Sequence, residues 1–225
     1  MMRTLAVAVV VISAAGAAAA DTKLTVKVAD EEPPKDLSDE VRALLDGKGM
    51  TVADDKGKVL CTVWRAKSLD TKATADQAKA GLKYEHLEET TIVGAVKFPE
   101  DWRDYRKSKI KAGVYTLRLG IQPMDGDHMG TAPFNEFCLL CPADKDKKPD
   151  LLEAKELHEL STKATTRKHP GIMLMFPNAK PPEAPAVEAK PNDHVVLSYR
   201  VPATVGSDKS FLGFSLVVVG VTMAE

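Results

Sequence analysis

Most of the chain consists of short runs in which apolar and polar residues alternate. "TKLTVKV" sets Leu24, Val26 and Val28 against Lys23, Thr25 and Lys27, the period of two expected of a strand with one buried face. "MTVADDKGKVLCTVW" holds two such runs around a polar turn at residues 54–57. It predicts a hairpin, with Val59, Cys61 and Val63 on one face and Leu60, Thr62 and Trp64 on the other. "TTIVGAVKF" predicts the next strand. "VYTLRLGIQ" places Tyr115, Leu117, Leu119 and Ile121 on the inner face and Thr116, Arg118 and Gln122 on the outer one. "FCLLC" is apolar throughout, which predicts a central strand covered on both sides. "GIMLMF", "HVVLSYRV" and "SFLGFSLVVVGV" bring the expected total to roughly eight or nine strands.

Helical spacing is rarer. In "LSDEVRALLDG", Leu37, Val41, Leu44 and Leu45 recur at three to four residues, and Gly47 is the expected stop. "PDLLEAKELHEL" predicts a second helix. Residues 66–81 are polar and rich in Ala and Lys, which fits a short exposed helix or an excursion. "PEDWRDYRKSKIKAG" is expected as a charged loop. Residues 177–193 hold five of the fourteen prolines and predict an extended excursion rather than packed structure. There is no internal repeat and no regular β-α alternation. The pattern therefore predicts a mainly β, single-domain antiparallel β-sandwich, jelly-roll-like, with two or three short peripheral helices.

Residues 1–20 change the picture of where the protein works. Arg3 precedes an unbroken apolar run, and Ala18-Ala19-Ala20 stand before Asp21. This is the pattern of a cleaved signal peptide. Removing 20 of the 225 residues leaves 205, the domain at 21–225. A domain of that size hides about 70% of the surface its unfolded chain exposes. Export to the periplasm or the medium is expected. No later segment is long and apolar enough for an integral membrane span. Losing Arg3 takes the net charge from −1 to −2, and near-neutrality argues against nucleic acid as a partner.

The candidate chemistry is sparse. Asp125-Gly126-Asp127-His128 form a turn that either binds a divalent metal or is held by its own Gly and Asp residues. Under the metal reading the ligands are Asp127, His128 and His169, the last from "KHPG". Met124, Met129, Met173 and Met175 add soft sulfur near these histidines, which suits copper, but methionine also fills cores. The cysteines number three, Cys61, Cys138 and Cys141. On a strand Cys138 and Cys141 point to opposite faces, so "CLLC" reads as buried, inert sulfur rather than a redox pair. Trp102 and Tyr105 lie among Arg103, Arg106, Lys107, Lys109 and Lys111. They either present a sugar-binding platform or cover the sandwich edge. No serine sits in a nucleophile elbow, and neither a phosphate-binding loop nor a dinucleotide fingerprint occurs.

The series "IKAGVYTLRLGIQPMDGDHMGTAP", "FCLLCPADKDKKPD" and "LSTKA…KHPGI" resembles a family of secreted proteins from environmental bacteria with no assigned function. The likeness spans residues 90–172 and rests on Gly113, Tyr115, Arg118, Pro123, Gly126, Asp127, His128, Gly130, His169 and Pro170. It departs at Cys138 and Cys141, where aliphatic residues are usual. The resemblance implies secretion and nothing about mechanism. The sequence thus points first to an exported, non-catalytic binding or structural domain of the cell envelope. The alternatives are a metal-binding protein or metal-dependent enzyme centred on Asp127, His128 and His169, and a carbohydrate-binding module using Trp102 and Tyr105.

Overall fold

The structure is a computed structural model that describes residues 23–122 and 132–222. Its strands in chain order are β1 (Thr25–Asp30), β2 (Lys48–Ala53), β3 (Val59–Arg65), β4 (Leu69–Thr71), β5 (Ile92–Phe98), β6 (Trp102–Arg103) and β7 (Lys109–Ile110). They continue with β8 (Gly113–Ile121), β9 (Glu136–Pro142), β10 (Gly171–Leu174), β11 (Ala186–Lys190), β12 (His194–Val205) and β13 (Asp208–Val219). The helices are α1 (Asp39–Ala43), α2 (Ala75–Ala80) and α3 (Ala154–Thr162). Among the described residues no helix is long and apolar enough to cross a membrane.

The molecule is mainly β, as the alternation predicts. Seven strands form one antiparallel sheet in the order β1-β2-β3-β5-β8-β9-β10. Its order follows the chain, with β2 and β3 joined by a short turn and the other neighbours by longer connections that carry the helices and short strands. At the β2–β3 turn, Asp54 Oδ1 accepts from Lys56 N and Lys58 N, and Gly57 takes φ +81°. That conformation suits glycine. The second sheet pairs β11, β12 and β13 antiparallel and adds β4 parallel to β12. The sheets pack face to face. Val52, Cys61, Val63, Leu117, Leu119 and Leu140 of the large sheet meet Leu197, Tyr199, Val201, Phe214 and Leu216 of the small one. Beyond β10 the sheets join, because Met175 bridges Leu216 and Phe176 N donates to Ser215 O at 2.9 Å.

The outer face of the large sheet is also covered, in two patches. Leu37, Val41 and Leu45 of the α1 segment cover Trp64, Ile92, Ala95 and Val114. Ser38 caps α1 by accepting from Val41 N. The helix stops at Leu44, one turn before Gly47, because Leu45 is drawn into a β-bridge with Ala66. The second patch packs Leu157 of α3 and Tyr105 against Phe137, Leu139, Cys141 and Leu174.

Between the patches lies Arg118, 0% exposed, against Asp146 at 3%. Nε donates to Asp146 Oδ2 at 2.8 Å and Nη2 to Oδ1 at 2.9 Å. Nη1 donates to Thr90 O and Asp150 O, and Nη2 also to Lys148 O. All five guanidinium donors thus have acceptors. Thr116 Oγ1 completes the network by donating to Asp146 Oδ2.

The structure corrects several expectations. Alternation assigns Arg118 to a polar outer face, yet that face is covered and Arg118 is wholly buried. Ile121, expected inward, is 37% exposed at the last position of β8. The expected charged loop contains the β6–β7 hairpin. The Pro-rich stretch contributes β11, with Val187 packed against the main core. Residues 66–81 hold α2 as an exposed helix, but also β4, too short to show a period.

Removing one partner of a buried ion pair strands the other charge. Arg118→Met is expected to cost about 3–5 kcal/mol of unfolding free energy in urea denaturation, and Arg118→Met with Asp146→Leu to recover most of it.

Candidate functional site

β10 is short and lies at the edge of the large sheet, so its outer face needs cover from elsewhere. Asp104 organises that cover. Its Oδ1 accepts from Ser108 N at 2.6 Å, which closes the turn between β6 and β7. Its Oδ2 accepts from Ile172 N at 3.3 Å, and Tyr105 N donates to Ile172 O at 3.3 Å. The turn is thereby stitched to the edge of β10. Thr222 N donates to Tyr105 O at 2.7 Å and adds the segment after β13. Burial holds the Asp104 carboxyl above its ordinary value, opposed by the N–H bonds from Ser108 and Ile172.

α3 closes the other side. Leu157 and Ser161, four apart, face the sheet and are buried. Ser161 Oγ donates to Leu140 O at 2.9 Å and accepts from Gly171 N at 3.1 Å, which ties the helix to β9 and β10. A Cβ on Gly171 would stand 3.1 Å from Ile110 Cδ1 and 3.3 Å from Ala164 Cβ, so the close approach there favours glycine. The loop after α3 is held by Thr165, whose Oγ1 accepts from Arg167 N and donates to His169 O at 2.8 Å.

These pieces leave a pocket of about 810 Å³ between α3, the β6–β7 turn and the outer face of β9 and β10. Sites for small ligands run from about 300 to 1,000 Å³. Phe137, Leu139, Ile172 and Leu174 form its floor. They are two register pairs, Leu139 with Ile172 and Phe137 with Leu174, on one face of adjacent strands. Ala154, His158 and Thr162 line one wall at helical spacing, and Tyr105 and Ser108 the opposite wall. Arg106, Lys107, Arg167 and Lys168 stand at the rim. The arrangement offers apolar contact below and charge-assisted donors above.

Of the predicted metal ligands, His169 lines this pocket and is exposed. Asp127 and His128 lie outside the described residues, as do Met124 and Met129. No group of three or more His, Cys, Asp or Glu side chains among the described residues could hold a metal ion. Met173 and Met175 are fully buried in the main core.

Trp102 and Tyr105 are 8% and 7% exposed. Trp102 stacks on Phe98 at 4.7 Å and its Nε1 donates to Val218 O at 3.1 Å, so the pair presents no open platform to a sugar. Of the two outcomes the sequence allows, these aromatics cover the sandwich edge.

Cys138 lies in the main core and Cys141 in the outer patch, on opposite faces as strand geometry requires. Both are free, and Cys138 Sγ lies 3.6 Å from Met175 Sδ. Burial pushes the Cys61 thiol up to about 12 and raises the other two as well.

Sequence reasoning missed His158 and the wall it shares with Ala154 and Thr162. The i, i+4 spacing was visible, but nothing in it distinguishes a wall from a solvated helix face. No family model matches the chain, and comparison with curated proteins and with solved structures finds no match.

Two outcomes are expected from this geometry. Native protein treated with iodoacetamide at pH 8 is unmodified at Cys61, Cys138 and Cys141, and all three react in guanidinium, as read by mass spectrometry. The second concerns Asp104, whose pKa in the folded chain lies above its ordinary 3.8. The folded state then binds this proton more tightly than the unfolded chain, so the group subtracts stability as pH rises through that window. The stability of wild type minus that of Asp104→Asn, measured by denaturant titration, therefore falls as pH rises from 3.8 through the raised carboxyl pKa of the folded chain.

Proposed function

We propose that the chain is an exported, non-catalytic binding protein of the cell envelope, with its ligand site in the pocket between α3, the β6–β7 turn and β10. The observation that carries the reading is a ligand-sized concavity on an apolar floor, with its walls pinned to the sheet by Asp104 and Ser161. Sites built on strands and held by buried hydrogen bonds need little reorganisation on binding, so ordering costs are small. Apolar area with a few placed polar groups is the usual composition of a small-molecule site. Export is supported by the Arg3, apolar run and Ala18-Ala19-Ala20 series.

Two measurements test this. With its own N-terminus in a Gram-negative host, the protein is expected in the periplasm with Asp21 first by N-terminal sequencing. Full-length chain in the cytoplasm would contradict export. The purified chain from residue 21 is expected to take up the neutral dye Nile red saturably, with one dye per chain. Thr162→Trp, which fills the pocket from the α3 wall, is expected to weaken uptake roughly tenfold, a loss of about 1.4 kcal/mol. Uptake indifferent to that substitution in a chain of unchanged circular dichroism would sink the pocket assignment.

A further inference from the structure

Resting on that pocket, we infer that its ligand is a small amphiphile with one anionic head group: a carboxylate, phosphate or sulfonate at the rim and an apolar body on the floor. The whole chain is close to neutral, at −1. Yet Arg106 and Lys107 reach the pocket from the β6–β7 turn, Lys155 from α3, and Arg167 and Lys168 from the loop after it. Two segments far apart in sequence, residues 106–107 and 155–168, thus bring five cations to one opening. Among the described lining residues Glu159 is the acid, and Lys155 Nζ lies 3.9 Å from it. That pair answers itself.

Arg106, Lys107, Arg167 and Lys168 have no ion-pair partner among the described residues, whereas nearby Lys109 pairs with Asp101. An excess of one sign around a concavity with low-dielectric walls concentrates the field at its mouth. Arginine there offers a planar fork suited to carboxylate and phosphate oxygens. The same excess makes the rim unfavourable to a cationic or dicationic ligand beside His169.

The floor sets the other half of the molecule. Phe137, Leu139, Ile172 and Leu174 are contiguous across two strands and carry no polar side-chain atom. A ligand that was all head group would leave this surface wet, and one that was all hydrocarbon would leave four cations unanswered. Tyr105, Ser108 and Thr162 also line the pocket.

The test displaces Nile red from the chain starting at residue 21 with three ligands sharing a ten-carbon body: decanoate, decyl phosphate and decyltrimethylammonium. Either anion is expected to displace the dye at concentrations roughly tenfold or more below those of the cation, since a charge-assisted contact is worth about a decade. The two anions distinguish a carboxylate from a phosphate preference within the class. Arg106→Glu with Arg167→Glu, both at exposed positions, is expected to abolish the preference for anions, read as the ratio of anion to cation displacing concentrations against the Nile red that this variant takes up. Equal displacement by anions and cation, or a preference that survives the double reversal, overturns the head-group assignment and leaves the pocket standing. Failure of Nile red itself to bind overturns the pocket and this inference together.

Discussion

An arginine with no solvent exposure organises the outer half of this protein. Removing a guanidinium from water costs several kcal/mol unless every donor is answered. Arg118 meets that condition through one carboxylate and three backbone carbonyls. Those acceptors come from Thr90, ahead of β5, and from residues 146–150, which lead into α3. Satisfying one buried charge therefore fixes a loop that would otherwise be held by little apolar contact. The path of that loop determines where α3 begins, and α3 forms a wall of the pocket.

The pocket also follows from how the large sheet ends. A free edge strand exposes a row of N–H and C=O groups. Here part of that row on β10 is occupied by the β6–β7 turn through Asp104 and Tyr105. Turn and helix both reach over β9 and β10 but do not meet above the floor, and the gap between them is the concavity. Asp104 accepts a raised carboxyl pKa as the consequence of holding this turn from a buried position.

Much of the fold was legible as period. Strands β1, β2, β3, β5, β8, β9, β10, β12 and β13 all fall on runs whose alternation or continuous apolarity marks them, and the opposed faces of Cys138 and Cys141 follow from strand geometry alone. The shorter elements escaped for a physical reason. β4, β6 and β7 have two or three residues, too few for an alternation to be recognised, and they form because a neighbouring strand offers them hydrogen bonds. β11 was hidden by the prolines on either side of it. Arg118 was misplaced because a charged residue at an alternating position reads as solvent-facing unless a cover from elsewhere in the chain is known.

The site was legible least. His169 was singled out from a short motif, and it lines the pocket. Its neighbours there, His158, Arg106 and Arg167, come from separate elements whose local patterns are those of ordinary surface residues. The sequence by itself determined the class of fold, the positions of its long strands and the opposed, buried faces of Cys138 and Cys141, because each depends on the period of side chains along a strand. Tertiary structure decided that two loops and a helix would converge over β9 and β10, that a guanidinium would lie beneath them, and that cations far apart in the chain would share one rim. Those outcomes depend on contacts between segments tens of residues apart, and no local period encodes them.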